Sequence, residues 1–282
     1  AGLASAALLA RDGYDVTLLE KHATVGGRAG SWSKGGFRFD TGPSWYLMPE
    51  VFDHFYRLLG TSSDEQLSLT KLDPGYRVLF EGEVGSNGRA KRPTKLDVSA
   101  DRETNLDAFE AMEPGSRAAM AGYLDSAKDT YEIAKLRFLY TSFAKISPLL
   151  RSDVLKRTPK LVSLLGTSLA KFAARYVKDN RLQQVLGYPA VFLGSSPYIT
   201  PSMYHLMSYL DLEDGVLYAD GGFTKVIETI ARLARQEGVQ IIPGADVNRI
   251  LTSSDKGKTR ATGVEYISST GSPKRLTADI VV

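Results

Sequence analysis

Apolar positions along the chain recur with two different periods, and the switches between them mark its elements. From Ala1 to Gly13 small apolar residues follow a helical pattern that stops at a glycine. Tyr14-Asp15-Val16-Thr17-Leu18-Leu19-Glu20 is short, β-branched and apolar, as in a buried parallel strand. A glycine-rich loop, Val25-Gly26-Gly27-Arg28-Ala29-Gly30, comes next. The run from Gly36 to Asp40 predicts a short strand leading into the turn Thr41-Gly42-Pro43-Ser44. Between residues 75 and 100 apolar and polar positions alternate (Tyr76, Val78, Phe80, then Leu96, Val98), predicting antiparallel strands around a loop.

Residues 105–190 carry helical periodicity. Val216-Leu217-Tyr218 reads as a strand, and Gly221-Gly222 opens a helix running from Phe223 to Gln236. Gly238-Val239-Gln240-Ile241-Ile242 predicts a second buried strand. The segments 247–251, 261–268 and 276–282 predict three more strands separated by polar turns. There is no internal repeat. The opening on a helix and the apolar close at Ile280-Val281-Val282 lead us to expect an internal piece of a longer protein.

A length of 282 residues suggests about two domains at roughly 100–200 residues each. With 43% hydrophobic and 24% charged residues, the chain can build a sizeable core and is neither disordered nor fibrous. It has no run of about 18 or more apolar residues, which argues against a transmembrane helix. A net charge of +3 is too small to point to nucleic acid. Without cysteine there is no disulfide, thiolate ligand or cysteine nucleophile. The scattered His22, His54 and His205 lack the spacing of a zinc site.

Charge is unevenly spread. From Lys128 to Arg181 there are 12 Lys/Arg against 4 Asp/Glu. Within 140–178, Lys145, Arg151, Lys156, Arg157, Lys160, Lys171 and Arg175 alternate with Leu149, Leu150, Leu155, Leu161, Leu164, Leu165 and Leu169 at helical spacing. A basic amphipathic helix suits an anionic lipid surface, and the plain alternative is a solvated face on a helical domain.

The first helix and strand form half of a βαβ unit. In dinucleotide-binding folds a glycine-rich turn leads into such a helix, and an acidic residue about 20 positions later holds ribose hydroxyls. Gly2 and Glu20 fit those places, although alone they read equally well as a packing glycine and a solvated strand end. Gly26-Gly27-Arg28 adds a close backbone approach and a guanidinium able to pair with phosphate. The alternative is a surface loop with a solvated arginine. Thr41-Gly42-Pro43-Ser44 by itself is simply a good β-turn.

Taken together these residues resemble the flavin-containing amine oxidase superfamily, and more closely its carotenoid desaturase branch, the bacterial phytoene desaturases. Three stretches carry the closer resemblance: Gly36 to Trp45, Tyr218-Ala219-Asp220-Gly221-Gly222-Phe223, and Gly238 to Val247. The likeness runs along nearly the whole chain. It implies an α/β fold: a Rossmann-like FAD-binding domain, with a parallel sheet and a β-meander, holding an inserted helix-rich α+β substrate domain. The expected division is 1–74 and 215–282 for the FAD-binding domain and 75–214 for the substrate domain.

By this resemblance FAD is the cofactor. Gly2 lines the pyrophosphate turn, and Glu20 binds the adenosine ribose. Gly26, Gly27 and Arg28 hold the pyrophosphate. Thr41, Gly42, Pro43 and Ser44 lie near the isoalloxazine ring. Val247 meets the adenine edge, and Gly222 allows close passage of the chain. The implied activity is FAD-dependent desaturation of a carotenoid precursor such as phytoene, a long polyisoprenoid hydrocarbon. Action is expected on the cytoplasmic face of the membrane, as a peripheral protein, through the basic helices near 140–178. No metal, nucleic acid or catalytic triad is expected, and no side chain is singled out as a catalytic base. An apolar tunnel is expected instead, with Phe138, Tyr140, Phe143, Phe192, Tyr198, Tyr204, Met207 and Tyr209 as candidate lining; the alternative for each is an ordinary core position. Other readings are a carotenoid isomerase, a retinol-saturase-like enzyme, an amine oxidase, or a non-catalytic fragment or binding protein of the same fold.

Overall fold

A computed structural model describes residues 1–82, 94–142, 151–255 and 258–282. The chain divides into two units, Ala1–Thr70 with Tyr218–Val282, and Lys71–Leu217. In chain order the first unit begins with α1 (Gly2–Arg11), β1 (Thr17–Glu20), β2 (Ser31–Lys34), β3 (Phe37–Asp40), α2 (Pro49–Leu58) and α3 (Ser63–Gln66). Strand β4 (Leu69–Lys71) closes this stretch. The second unit holds β5 (Tyr76–Phe80), β6 (Thr94–Val98), α4 (Arg102–Met112), α5 (Arg117–Ala134), α6 (Ser152–Gly166), α7 (Leu169–Ala173), α8 (Asn180–Gly187) and α9 (Met207–Tyr209). The chain then continues through β7 (Leu217–Ala219), α10 (Thr224–Gln236), β8 (Gln240–Pro243), β9 (Asp246–Asp255), β10 (Lys258–Ile267) and β11 (Pro273–Thr277).

In the first unit β1 and β8 pair in parallel, from Thr17 opposite Gln240 to Glu20 opposite Pro243. Helix α1 packs on both β1 and α10. Its Ala6 and Ala7 are buried with Leu233, Ala234, Val239 and Tyr56, so small side chains let the two helices approach closely. An Arg11–Glu237 ion pair of 3.1 Å ties the far ends of the same helices. Strands β9, β10 and β11 form an antiparallel meander. The two strands expected to be buried are only half-buried, and β8 has exposed ends at Gln240 and Pro243. Among the described residues these two strands pair only with each other.

Among the differences from the sequence reading are two strands. Strand β2 was not expected, because Ser31-Trp32-Ser33-Lys34 is exposed throughout and carries no burial signal; it pairs with β3 as a hairpin. The last strand is Pro273–Thr277 rather than 276–282. Pairing with Gly263–Ile267 of β10 places it, and the apolar run Ile280-Val281-Val282 lies beyond the ladder.

The second unit is built around one core in which Phe109, Met120, Tyr123, Leu124, Leu182 and Leu186 are almost wholly buried. Strands β5 and β6 pair antiparallel, Tyr76 opposite Val98 and Phe80 opposite Thr94. Asp101 caps α4 by accepting from the Thr104 amide at 2.8 Å. The buried Asn105 satisfies all its polar atoms: its Nδ2 donates to the carbonyls of Ser99 (2.9 Å) and Leu212 (2.8 Å), and its Oδ1 accepts from the Ser99 amide at 2.8 Å. The stretch 140–178 is not one amphipathic helix. It breaks into α6, which contains Pro159, and the short α7. Lys145, Leu149, Leu150 and Phe143 lie outside the described residues. Among the described residues no helix is long and apolar enough to cross a membrane.

Candidate functional site

The first unit carries every residue singled out for nucleotide binding. Helix α1 has no side-chain cap and no acidic residue in its first turn. The leading N–H groups of a helix carry partial positive charge, which suits an anion. A side chain at Gly2 would meet only Leu18 of β1, at 3.9 Å. Two residues on from Leu18, Glu20 ends β1 with its Oε1 accepting from the His22 amide at 2.8 Å, which fixes the carboxylate.

The return of the chain is anchored at the same strand end. The Ala245 amide donates to the Glu20 carbonyl at 2.8 Å, and the Gly244 amide to the His22 carbonyl at 3.0 Å. Lys21 pairs with Asp246 at 3.0 Å. Val247 follows directly, 41% exposed and opposite Tyr266 in the meander. Glu20 and Val247 are thus brought to one end of the parallel pair, with Gly2 over Leu18.

The second cluster is made by two loops. Gly26 and Gly27 take φ of 128° and 57°. The Thr41 amide donates to the Gly30 carbonyl at 3.0 Å. A Cβ on Gly42 would stand 1.9 Å from the Arg28 carbonyl oxygen, so only glycine allows these backbones to cross. The Arg28 side chain is exposed and has no acidic partner among the described residues. Pro43 and Ser44 are exposed as well.

Two residues hold this loop pair to α10, and sequence reasoning assigned neither. Asp40 accepts from the Phe223 amide at 2.9 Å and from the Thr224 hydroxyl at 3.2 Å. It lies against Gly222, whose φ of 91° and lack of a side chain make room; a Cβ there would meet the carboxylate at 2.9 Å. Tyr46 is completely buried, 4.5 Å from the Phe52 ring and 6.5 Å from the Phe223 ring. Burial pushes its hydroxyl up to about 12, so it is a neutral anchor. The exposed turn 41–44 is therefore pinned at both ends. Asp40 was visible as part of a motif, but its partner is 183 residues away, beyond any local signal.

A helix start with no acidic residue in its first turn, a fixed carboxylate at a strand end, a guanidinium with no partner among the described residues and backbones without side chains between them fit a dinucleotide: partial positive charge and a cation for pyrophosphate, an acceptor for ribose hydroxyls. Among the described residues there is no cluster of His, Cys, Asp or Glu that could hold a metal ion.

The proposed tunnel residues are not gathered into the core of the second unit. Tyr140, Phe192 and Tyr198 are exposed, while Phe138, Tyr204, Met207 and Tyr209 are half-buried. The buried aromatics there are Phe80, Phe109, Tyr123, Tyr131 and Phe172 instead. Of the basic residues, Arg157 and Lys160 both pair with Asp129 at 2.8 Å, and Arg137 pairs with Asp153 at 2.7 Å. Each of these three cations thus has a carboxylate partner within the fold. The same unit also buries two titratable groups. Asp211 receives the Tyr76 hydroxyl at 2.8 Å while its other oxygen has no partner among the described residues, and burial raises its carboxyl to about 7. His205 lies between the Ser202 carbonyl at 2.8 Å and the Ser126 hydroxyl at 3.0 Å; burial lowers it to about 4.

Residues 1–282 match the family described as flavin containing amine oxidoreductase. Similar proteins include a carotenoid 3,4-desaturase of Haloarcula japonica, 37% identical over 88% of this chain and 48% of that protein. A zeta-carotene-forming phytoene desaturase of Myxococcus xanthus is 33% identical over 94% of this chain and 48% of its own length. Among solved structures an oxidoreductase from Methanosarcina mazei has the same fold, with TM-score 0.56 and 17% identity over 99% of this chain and 55% of that one. The chain spans about half the length of the curated relatives it matches.

Proposed function

The chain belongs to the flavin containing amine oxidoreductase family, and on that premise we propose that the protein takes part in FAD-dependent desaturation of a carotenoid precursor such as phytoene, at a membrane surface. The observation that carries this reading is that carotenoid and phytoene desaturases of archaeal, bacterial and fungal origin align along 88–100% of the chain. When bound, FAD supplies the two-electron acceptor for hydrogen removed from adjacent carbons of a polyene, chemistry beyond ordinary side chains.

The residues of the first unit bind and orient. Glu20 accepts from the ribose hydroxyls, and the start of α1 at Gly2 faces the pyrophosphate. Arg28, with Gly26 and Gly27 beside it, neutralises the phosphate charge. Thr41, Gly42, Pro43 and Ser44, held between Asp40 and Tyr46, present backbone toward the isoalloxazine ring, and Val247 meets the adenine edge. The bare, exposed character of these loops supports that assignment, because a dinucleotide covers what is left open. Attachment to the cytoplasmic face of a membrane brings the protein to a hydrocarbon that dissolves in lipid.

The test is expression of the full gene in cells that accumulate phytoene, followed by the absorbance spectrum of the pigment extract. New visible bands are expected, their positions counting the double bonds added. A colourless extract beside a folded, flavin-bearing protein would defeat the phytoene assignment.

A further inference from the structure

The second unit has a groove of ≈ 430 Å³ where the end of α6, α7 and the loop 196–201 meet; its walls include Leu165, Ser168, Lys171, Arg175, Tyr198 and Ile199. Tyr198 and Ile199 are each 77% exposed, and Leu165 and Val162 on α6 are 54% and 62% exposed. Adjacent tyrosine and isoleucine side chains in water are unfavourable, and a loose loop would fold them in. This loop is fastened instead. The Leu169 amide donates to the Thr200 carbonyl at 2.8 Å, Ala170 to Pro197 at 2.9 Å, and Ser202 to Thr167 at 2.7 Å. Within the loop the amides of Ile199 and Thr200 close onto the Ser196 carbonyl at 3.1 and 3.0 Å. The backbone thus holds the two side chains outward.

The charge beside them is of one sign. Lys171 on α7 and Arg175 in the turn just after it both line the groove. Neither has a carboxylate partner among the described residues, whereas Arg157, Lys160 and Arg137 nearby in sequence all do. Arg175 is held over the Phe172 ring, 5.9 Å from its centre. Exposed apolar side chains on a fixed backbone next to uncompensated cations match the layering of an anionic bilayer, with apolar interior below and phosphates above.

We propose that this groove docks on an anionic phospholipid surface: Tyr198, Ile199 and Leu165 enter the interface while Lys171 and Arg175 meet lipid phosphates. The inference rests on the membrane part of the function above and moves the contact away from Arg157 and Lys160, which are occupied by Asp129.

Vesicle co-sedimentation tests it without flavin or carotenoid, using phosphatidylglycerol and phosphatidylcholine vesicles. The protein is expected to bind phosphatidylglycerol vesicles at least tenfold more tightly than phosphatidylcholine. A Lys171→Gln/Arg175→Gln variant should lose roughly tenfold or more on phosphatidylglycerol, at about 1 kcal/mol per basic residue. A Tyr198→Ser/Ile199→Ser variant should lose binding to both. All four side chains have exposed positions or lack partners, and an unchanged thermal midpoint verifies folding. Equal binding by wild type and both variants overturns the proposal. So does a wild type that ignores both vesicles, and a dimer abolished by Tyr198→Ser/Ile199→Ser would then assign the patch to a second copy of this chain. The pigment assay, with phytoene supplied in detergent, separates the two readings: a protein that desaturates but ignores vesicles loses only this inference.

Discussion

The Asp40 carboxylate stands 2.9 Å from the backbone nitrogen of Phe223, at the start of a helix that has no cap from its own residues. The pair joins strand β3 to α10 across 183 positions of sequence. An acceptor with full negative charge at a helix start satisfies an orphan N–H and complements the helix dipole. Replacing Asp40 by alanine should cost about 1–2 kcal/mol, the usual range for a lost cap. Asparagine should retain most of that. Urea denaturation of the two variants measures the difference, and equal loss in both would show that the cap is not what Asp40 contributes.

At Gly42 the crossing of two backbones gives a sharper expectation. An alanine there would place its Cβ 1.9 Å from the Arg28 carbonyl oxygen, so the two loops must part. Overpacking of this kind costs about 1–3 kcal/mol. The strain falls on the loops read here as the flavin cradle, so FAD affinity should drop about tenfold or more. Titration of flavin fluorescence reports it. A variant binding FAD as tightly as wild type would remove these loops from the cofactor site.

Arg28 gives a complementary test on the chain itself. A ligand that binds only the folded state stabilises it, by about 2.7 kcal/mol at a hundredfold excess over Kd. Added FAD should therefore raise the thermal midpoint, and Arg28→Ala should shrink that rise without lowering the midpoint of the flavin-free chain. The guanidinium has no partner to lose among the described residues, so a lower flavin-free midpoint would reveal a structural role instead.

The two buried titratable groups of the second unit make opposite contributions to stability as pH changes. The Asp211 carboxyl is raised from 3.8 to about 7, so between these values the folded protein holds a proton that the unfolded chain releases. Its contribution to stability is full at low pH and falls as pH rises from about 4 toward 7. His205 is lowered from 6.5 to about 4, so there the unfolded chain holds the extra proton. Its contribution grows over nearly the same window and is complete above about 6.5. In the wild type the two largely cancel. Replacing Asp211 by asparagine removes one arm: relative to wild type, the variant should gain stability between pH 5 and pH 7, by about 3 kcal/mol, and level off above pH 7. Urea midpoints at several pH values measure this. A constant difference between variant and wild type across that range would mean that Asp211 does not hold its proton.

Much of the first unit could be read from local pattern. Helix α1, strand β1, helix α10 and strand β8 each announce themselves within a dozen residues, through small apolar runs and glycines at their ends. The glycine-rich loops were visible for the same reason. What was not legible depends on distant partners. Strand β2 is polar and exposed, and only its pairing with β3 makes it a strand. Strand β11 is set by the register of β10 rather than by its own hydrophobicity. The cap role of Asp40 requires Phe223. In the second unit, surface aromatics such as Tyr198 and core aromatics such as Tyr123 look alike in sequence, so the tunnel residues were chosen by type without knowledge of burial. The paired cations Arg157 and Lys160 looked like a free basic face because Asp129 lies 28 and 31 positions away from them.

The parallel pairing of β1 with β8 also sets a timetable. Thr17 must wait for Gln240 to be synthesised before the sheet can form. At about 5–20 residues per second a ribosome needs tens of seconds to cover that distance. The contiguous segment from Lys71 to Leu217 emerges complete within that interval. Throughout it the newborn α1 and β1 have neither α10 nor β8 to cover them. The early-made half of the first unit thus waits, without its later partners, until the last part of the chain is made.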